Sequence, residues 1–372
     1  MRKHRPVFFP VFILLSSFFL LSWGYNGHYK ISLESSKSFN QEMNQFMDWS
    51  TTLAAHASDA DDRKDTDPYE GPRHYIDIDN YPGFLENGRI PQTYDSVVAL
   101  YGIDFVQDQG ILPWATVTTY DSLVECFLRR DWYKAVLFAS DLGHYVADGY
   151  MPLHITVNYN GQNSGNNGIH SRYESSMINT FLGQMSYSGD SVSFVEDVNS
   201  YVFQYLYSNY SYVDSVLMAD DYAQQVAGNT SSYLYKETLW NRTKGFTTML
   251  YANASNTLAE MIYSAWVEAG KPSMNSSGMS DALFENTAIL LQNYPNPFFG
   301  TTRLEIYLAT DSQIKLEVMD ITGKSISLLA NGFLERGKHV FHWEATEFPA
   351  GVYFLALEGD GIFQARKMIV TR

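Results

Sequence analysis

The sequence is organised around one stretch, Asp141-Leu-Gly-His-Tyr-Val-Ala-Asp-Gly-Tyr-Met-Pro-Leu-His154, which is followed by His170-Ser-Arg-Tyr-Glu174. His144 and Asp148 are four residues apart in the first segment, and residues at this spacing share one face of a helix. The second segment repeats the spacing between its own histidine and its carboxylate. Imidazole and carboxylate groups that converge in this way suit zinc. The two segments therefore predict a metal site built largely on helices.

A third histidine lies between these two pairs. Pro152 lacks a backbone N–H and disfavours a helix in the residue before it, so the first helix should kink or end there. That break would bring His154 toward the same centre. A lone His-x3-Asp pair is most often a surface pair or a packed core contact. Two such pairs that flank a third histidine favour metal binding instead.

The composition is that of a globular protein with room for two domains. The chain has 372 residues, 45% of them apolar, and a net charge of −16. This charge argues against nucleic-acid binding through a basic surface, although bound cations would supply positive charge locally. The single cysteine, Cys126, excludes an intramolecular disulfide and is expected to fill core space. We expect neither a thiolate metal site nor a thiol nucleophile.

The first residues predict a signal peptide. A short basic segment precedes the apolar run Val7–Leu21, and Ser22 is a small residue at a possible cleavage site. The run is short for a membrane span and is broken by Pro10. We therefore expect a signal peptide over residues 1–22, cleavage that makes Trp23 the mature N-terminus, and no stable transmembrane anchor.

The rest of the chain divides by its periodicity. Helical patterns dominate residues 23–272, and strand signals are scarce there. A linker rich in Ser, Gly and Met is predicted over residues 273–290. Apolar and polar residues then alternate in several short runs over residues 291–372. The expected fold is multidomain: a mostly all-α zinc-binding domain, followed by a small all-β sandwich of Ig-like type.

The candidate ligands of residues 23–272 follow a specific order. An N-terminal Trp precedes an early His, an Asp lies thirteen residues before a second His, and His-x3-Asp-x5-His and His-x3-Glu follow. This order resembles the zinc-dependent phospholipase C / S1-P1 nuclease superfamily, closely only at the motifs. The matching residues are Trp23, His28, Asp61, His74, His144, Asp148, His154, His170 and Glu174.

The resemblance implies three zinc ions in residues 23–272. One would be held by Asp61, His74, His144 and Asp148. The second would be held by His154, His170 and Glu174. The third would share Asp148 and be completed by His28 and by the α-amino group and carbonyl of Trp23. A free α-amino group titrates near pH ~8, so zinc can displace its proton and use it as a ligand.

The acidic ligand before the second histidine is the least specific assignment. Asp59, Asp61 and Asp62 compete for the role. The family often carries a Pro-Asp dipeptide at this point, and Ala60 replaces that proline here. Asp61 lies thirteen residues before His74, within the spacing that the resemblance implies. We assign Asp61, with Asp59 as the alternative.

The implied reaction is hydrolysis of a phosphoester by a metal-bound hydroxide. Zinc ions lower the pKa of a bound water toward ~7, so no protein nucleophile is required. The candidate catalytic residues are the ligands Asp61 and Asp148 together with Lys64, which is expected to donate to a phosphoryl oxygen. Arg63 is the alternative donor, and solvated surface charge is the competing interpretation for both basic residues.

The motifs indicate two different substrates, a nucleic acid and a phospholipid. Tyr75 and Asp77 follow a ligand histidine as in the nuclease branch, where the resemblance implies an aromatic that stacks a base and an acid that binds its edge. In contrast, Glu174 and the short gap before His170 resemble the phospholipase branch, and a Tyr-rich pocket could hold a choline ammonium by cation–π contact. We favour a phospholipase C, with a single-strand nuclease as the alternative. A non-catalytic, zinc-stabilised binding protein is the alternative of another class.

The last part of the chain resembles a type IX secretion sorting domain. The resemblance covers Leu291 to Arg372 and is carried by the motifs Leu291-Gln-Asn-Tyr-Pro-Asn-Pro-Phe298, Val318–Lys324, Gly337–Trp343 and Ala350–Phe354. It implies a Gram-negative bacterium, export across both membranes, and contact with the type IX machinery. The predicted partners are therefore this machinery and a phospholipid or single-stranded nucleic acid substrate.

Overall fold

The computed structural model describes residues 24–274, 288–290, 293, 298–308, 310–359 and 362–371. Helices fill the first of these ranges, and strands fill most of the others. The chain therefore has the predicted fold class, a helical domain followed by an all-β domain. The predicted signal peptide, Trp23 and most of the predicted linker lie outside the described residues. Their boundaries stay predictions.

The described part of the helical domain contains thirteen α-helices, and none of the described helices is long and apolar enough to cross a membrane. Their bounds are α1 Gly24–Ser35, α2 Trp49–Ala55, α3 Asp59–Arg63, α4 Pro82–Asn87, α5 Tyr94–Tyr101, α6 Ile103–Asp108, α7 Leu112–Leu128, α8 Trp132–Gly149, α9 Ile169–Ser171, α10 Ile178–Phe181, α11 Val198–Tyr210, α12 Val213–Ala227 and α13 Tyr233–Glu268. Short 3₁₀ turns occupy Ser36–Ser38, Gln41–Phe46, Gly71–His74, Ile78–Asn80, Pro152–His154 and Leu182–Gln184, and a π-helical turn occupies Arg172–Met177.

Helix α8 lies at the centre of the helical domain and contacts α1, α2, α7 and α13. Its N-terminus is capped by Asp131, whose side chain accepts from the N–H of Lys134 at 3.1 Å. Gly143 permits close packing, because a Cβ at this position would lie 2.8 Å from Leu258 of α13 and 3.1 Å from Ser32 of α1. The helix ends just before Pro152, as predicted. The packing buries the ligand-bearing half of α8.

The β domain consists of two antiparallel sheets with the strand orders β1-β2-β5 and β4-β3-β6-β7. The strand bounds are β1 Ala288–Leu290, β2 Thr301–Leu308, β3 Ser312–Met319, β4 Ser325–Leu334, β5 Gly337–Glu344, β6 Gly351–Gly359 and β7 Ile362–Val370. Alternate residues of both sheets point inward and form one apolar core that includes Leu304, Leu316, Trp343 and Leu355. This core is separate from that of the helices.

Strand β7 lies against the helical domain. Arg366 forms an ion pair with Glu125 of α7 at 3.0 Å, and Lys367 forms one with Asp95 of α5 at 3.3 Å. Ile369 is 5% exposed and packs with the apolar core of the helices. The two domains are therefore in direct contact.

Candidate metal centre

The first group of predicted ligands meets where α3, α8 and the 3₁₀ turn Gly71–His74 converge. His144 Nε2 lies 2.9 Å from His74 Nδ1 and 3.6 Å from Asp61 Oδ1. His74 Nδ1 lies 3.6 Å from the same Asp61 oxygen. Ligands bound tetrahedrally at ~2.1 Å from one ion are about 3.4 Å apart, so these separations suit a single ion.

Asp148 is fully buried, and its two oxygens face different groups. Oδ2 lies 3.0 Å from His74 Nδ1 and 3.4 Å from His144 Nε2. Oδ1 lies 3.5 Å from His28 Nε2 and 3.7 Å from His154 Nδ1. The two oxygens of one carboxylate could therefore bind two different ions, which is what the predicted shared role of Asp148 requires.

A second group of ligands lies at the turn after α8 and at α9. Glu174 Oε2 is 3.4 Å from His154 Nε2, and Glu174 Oε1 is 3.2 Å from His170 Nε2. Pro152 begins the 3₁₀ turn that carries His154, and Glu174 lies in the π-helical turn. Turns of that kind occur frequently at functional sites. All three side chains are at least 94% buried.

Backbone carbonyls fix the orientation of three imidazole rings. Nδ1 of His144 lies 2.7 Å from the carbonyl of Ala57, and Nδ1 of His154 lies 2.6 Å from the carbonyl of His74. Nδ1 of His170 lies 3.3 Å from the carbonyl of Tyr159. A carbonyl can only accept, so each Nδ1 carries a proton and each Nε2 faces the cluster, where a metal ion would take its lone pair. This is the usual arrangement around a metal-binding histidine.

The electrostatics of the cluster favour a cation. Burial, together with repulsion by His144, lowers the pKa of His28 to about 3, so this ring is neutral. Burial opposes protonation of His144 as well, but Asp148 and Asp61 raise its pKa to about 9. The carboxylates thus stabilise positive charge at the centre of the cluster. The same carboxylates would stabilise a divalent cation at this position.

Two buried ligand atoms are also consistent with a bound metal. Among the described residues, Asp61 Oδ2 and His170 Nε2 have no hydrogen-bond partner. Leaving a buried polar atom unsatisfied is costly, and a metal ion would satisfy both atoms. The residues therefore fit a metal ion, and their nitrogen and oxygen donors suit zinc.

The acidic segment before His74 is divided between the cluster and the surface. Asp61 joins the cluster, whereas Asp59 forms an ion pair with His56 at 2.7 Å and its side chain is 45% exposed. Lys64 Nζ donates to Asp61 Oδ1 at 2.6 Å, so it lies at the edge of the cluster. Arg63 instead donates hydrogen bonds to Glu70 and Asp141, which are not predicted ligands.

The predicted substrate residues lie beside His154. The backbone N–H of Ile76 donates to the carbonyl of His154 at 2.9 Å, which fixes the segment that contains Tyr75 and Asp77. Both side chains are half-buried. Burial, with the charges of Asp79 and Asp108, raises the pKa of Asp77 to about 7.

Sequence reasoning missed one aromatic residue near this segment. Tyr159 is 38% exposed, and its ring meets that of His170 edge-on at 5.8 Å between centroids. It lies in a loop rich in Asn and Gly that carries no distinctive motif. The signal that would have found it is its position shortly before a predicted ligand.

Comparison with known proteins identifies the C-terminal part of the chain. Residues 292–371 match the profile of the family described as Secretion system C-terminal sorting domain. The match confirms the predicted sorting domain and indicates type IX secretion, and hence a secreted or cell-surface protein. A search of curated protein sequences found no match.

Two solved structures resemble the chain over most of its length. Alpha-toxin of Clostridium perfringens, isolated from avian strain SWCP, shares 11% identity at a TM-score of 0.47, and the match covers 94% of this chain and 98% of the toxin. Alpha toxin from Clostridium absonum shares 9% identity at a TM-score of 0.42, with the same coverage.

Proposed function

We propose that the protein is a secreted, zinc-dependent hydrolase of phosphoric diester bonds, of the phospholipase C type. One observation carries the proposal: eight predicted ligand side chains from separate parts of the sequence converge in a single buried cluster. Chance rarely brings so many imidazole and carboxylate groups together without a structural partner, because burying them is costly. These residues are His28, Asp61, His74, His144, Asp148, His154, His170 and Glu174.

The proposal assigns three ions to this cluster. Asp61, His74, His144 and Asp148 hold the first, and Trp23, His28 and Asp148 hold another. The group of His154, His170 and Glu174 holds the remaining ion. When bound, the ions supply hydroxide near neutral pH and stabilise charge on the leaving oxygen.

The chain itself orients the imidazole rings and supplies one positive charge, the ammonium group of Lys64. The carbonyls behind three histidines keep each Nε2 aimed inward. Lys64 reaches the cluster edge through Asp61, where its ammonium group can donate to a phosphoryl oxygen of the substrate. His28, His144 and Asp148 are fully buried, and the low dielectric around them strengthens these interactions.

A single-strand nuclease of the S1/P1 type is the second candidate. Tyr75 and Asp77 support it, because both lie next to His154 and are open enough to contact a ligand. A tyrosine face stacks on any base. The same two groups could also hold the ammonium of choline, by cation–π contact with Tyr75 and by the charge of Asp77.

The sorting domain supports a bacterial surface location for this activity. We propose export by the type IX system of a Gram-negative bacterium after cleavage of the signal peptide. The predicted new terminus, Trp23, is then available to the metal centre. Residues from Leu291 onward serve export and not catalysis.

Hydrolysis assays test the proposal directly. Protein cut to expose Trp23 should contain about three zinc ions and hydrolyse bis-p-nitrophenyl phosphate, with phosphatidylcholine preferred over single-stranded DNA. A preference for DNA would select the nuclease. Full zinc content without turnover of any phosphodiester would favour the non-catalytic binding protein. Less than one zinc ion per chain would overturn the metal centre itself.

A further inference from the structure

A buried ionic network lies directly behind the metal centre, and its hub is Glu70. The Glu70 side chain is fully buried. It accepts hydrogen bonds from Arg63 at 3.2 Å and from Arg73 at 3.1 Å, and the hydroxyl of Tyr145 also donates to it. Arg63 continues to Asp141 at 3.0 Å. None of these five groups belongs to the predicted ligand set.

The network touches His74 on the side away from the cluster. Glu70 Oε1 lies 3.5 Å from His74 Nε2, a buried atom that has no hydrogen-bond partner among the described residues, so this carboxylate is the acceptor placed to take its proton. His74 presents Nδ1 to Asp61, His144 and Asp148. His144, His154 and His170 do the reverse, since their Nδ1 atoms face backbone carbonyls. Among these four rings, His74 alone has a carboxylate as its outer partner.

We infer that Glu70 is a positioning residue of the metal centre: it accepts from Nε2–H of His74 and thereby turns Nδ1 toward the ion. A carboxylate behind a ligating imidazole fixes the tautomer and makes the ring a better donor. The inference rests on the proposed metal site and adds a residue to it. Glu70 touches neither substrate nor the reacting atoms.

The network also joins the separate segments that carry ligands of the first ion. Arg63 belongs to α3, which contains Asp61. Tyr145 and Asp141 belong to α8, which contains His144 and Asp148. Glu70 itself precedes His74 by one helical turn. Bonds to one carboxylate thus set the spacing of three ligand-bearing segments.

Tautomer measurement tests the orientation without any substitution in Glu70. In zinc-loaded protein with ¹⁵N-labelled histidine, the His74 ring should carry its proton on Nε2, and the His144 and His154 rings should carry theirs on Nδ1. The His74 signals are assigned with a His74→Gln variant. A proton on Nδ1 of His74 would overturn the inference.

Substitution tests the effect on metal affinity. Glu70→Gln should lower zinc affinity by about 10–100-fold in chelator competition, the usual effect of losing an outer partner. Tyr145→Phe keeps the ring against His74 and the Glu70 carboxylate in place, and removes only the hydroxyl that donates to Glu70 and accepts from Arg63 at 3.4 Å, so a smaller loss is expected. If Glu70→Gln does not fold, the zinc affinity of Tyr145→Phe tests the inference instead.

Glu34→Gln is the matched control. Glu34 is also buried, accepts from Tyr251 at 2.6 Å and Lys30 at 2.8 Å, and has no predicted ligand among its described partners. It should lose thermal stability and keep its zinc affinity. Equal zinc affinity in wild type, Glu70→Gln and Tyr145→Phe would overturn the inference, whereas a wild type without zinc would overturn the proposed function instead.

Discussion

Asp148 Oδ1 lies 3.5 Å from His28 Nε2, while the other oxygen of the same carboxylate faces the histidines of the first group. Because two proposed ion sites share this side chain, Asp148 should be the ligand most sensitive to a change of charge. His28 and Asp148 are both fully buried, so solvent cannot replace a missing ligand.

We predict that Asp148→Asn lowers turnover more than Glu174→Gln. Loss of an outer partner of a metal ligand typically lowers metal affinity or activity by about 10–100-fold. Loss of a direct ligand that two ions share should lower activity by more than that. Zinc content and phosphodiester hydrolysis are measured together for both variants. Equal losses of activity at full zinc content would contradict the shared role of Asp148.

The second prediction concerns the mature N-terminus. A retained methionine before Trp23 turns the α-amino group into an amide, which is neutral and a poor ligand. His28 and Asp148 alone should hold their ion weakly, while the other ions keep their own ligands. The expected product is a folded protein with about two zinc ions and little activity. Full activity with three ions in the Met-Trp23 protein would refute the N-terminal ligand.

The third prediction concerns the β domain. A chain that ends near Ser280 should keep the proposed phosphodiesterase activity and lose export, because the predicted metal ligands all belong to the helical domain. The cut removes the partners of Glu125 and Asp95 and uncovers the helical face beneath Ile369. Stability should therefore fall while turnover at 25 °C persists. A folded but inactive short chain would show that the β domain takes part in catalysis.

The fourth prediction concerns pH and Asp77. Burial raises the pKa of Asp77 to about 7 in the folded protein, above its value in the unfolded chain. The carboxyl therefore costs no stability below pH ~4, and stability is lost as pH rises from ~4 through ~7. Asp77→Asn should raise the Tm at pH 8 by a few degrees and leave it unchanged at pH 4. Equal shifts at both pH values would contradict the raised pKa.

Several features of the site could be predicted because they follow from local spacing. The pairs separated by four residues and the helix end before Pro152 are local properties, and they account for His144, Asp148 and His154. Alternation along short runs was likewise enough to predict the β domain.

Other features could not be predicted, since they depend on contacts between distant segments. The spacing to His74 favoured Asp61 but left Asp59 as an alternative, and only the path of α3, a helix of five residues whose ends depend on its neighbours, brings Asp61 to the cluster and Asp59 to the surface. The role of Glu70 arises from partners that lie up to 75 residues away in the sequence. Sequence patterns over a few residues do not indicate which distant segments come into contact.

The loop before His74 is supported from two sides. The Tyr69 ring stacks on Phe299 of the β domain with 4.8 Å between centroids, and the next residue, Glu70, lies behind His74. Removal of the β domain would therefore take away one of the two contacts that support this loop. A chain without the β domain should for this reason hold the predicted ligands of this loop less rigidly than the full-length chain does.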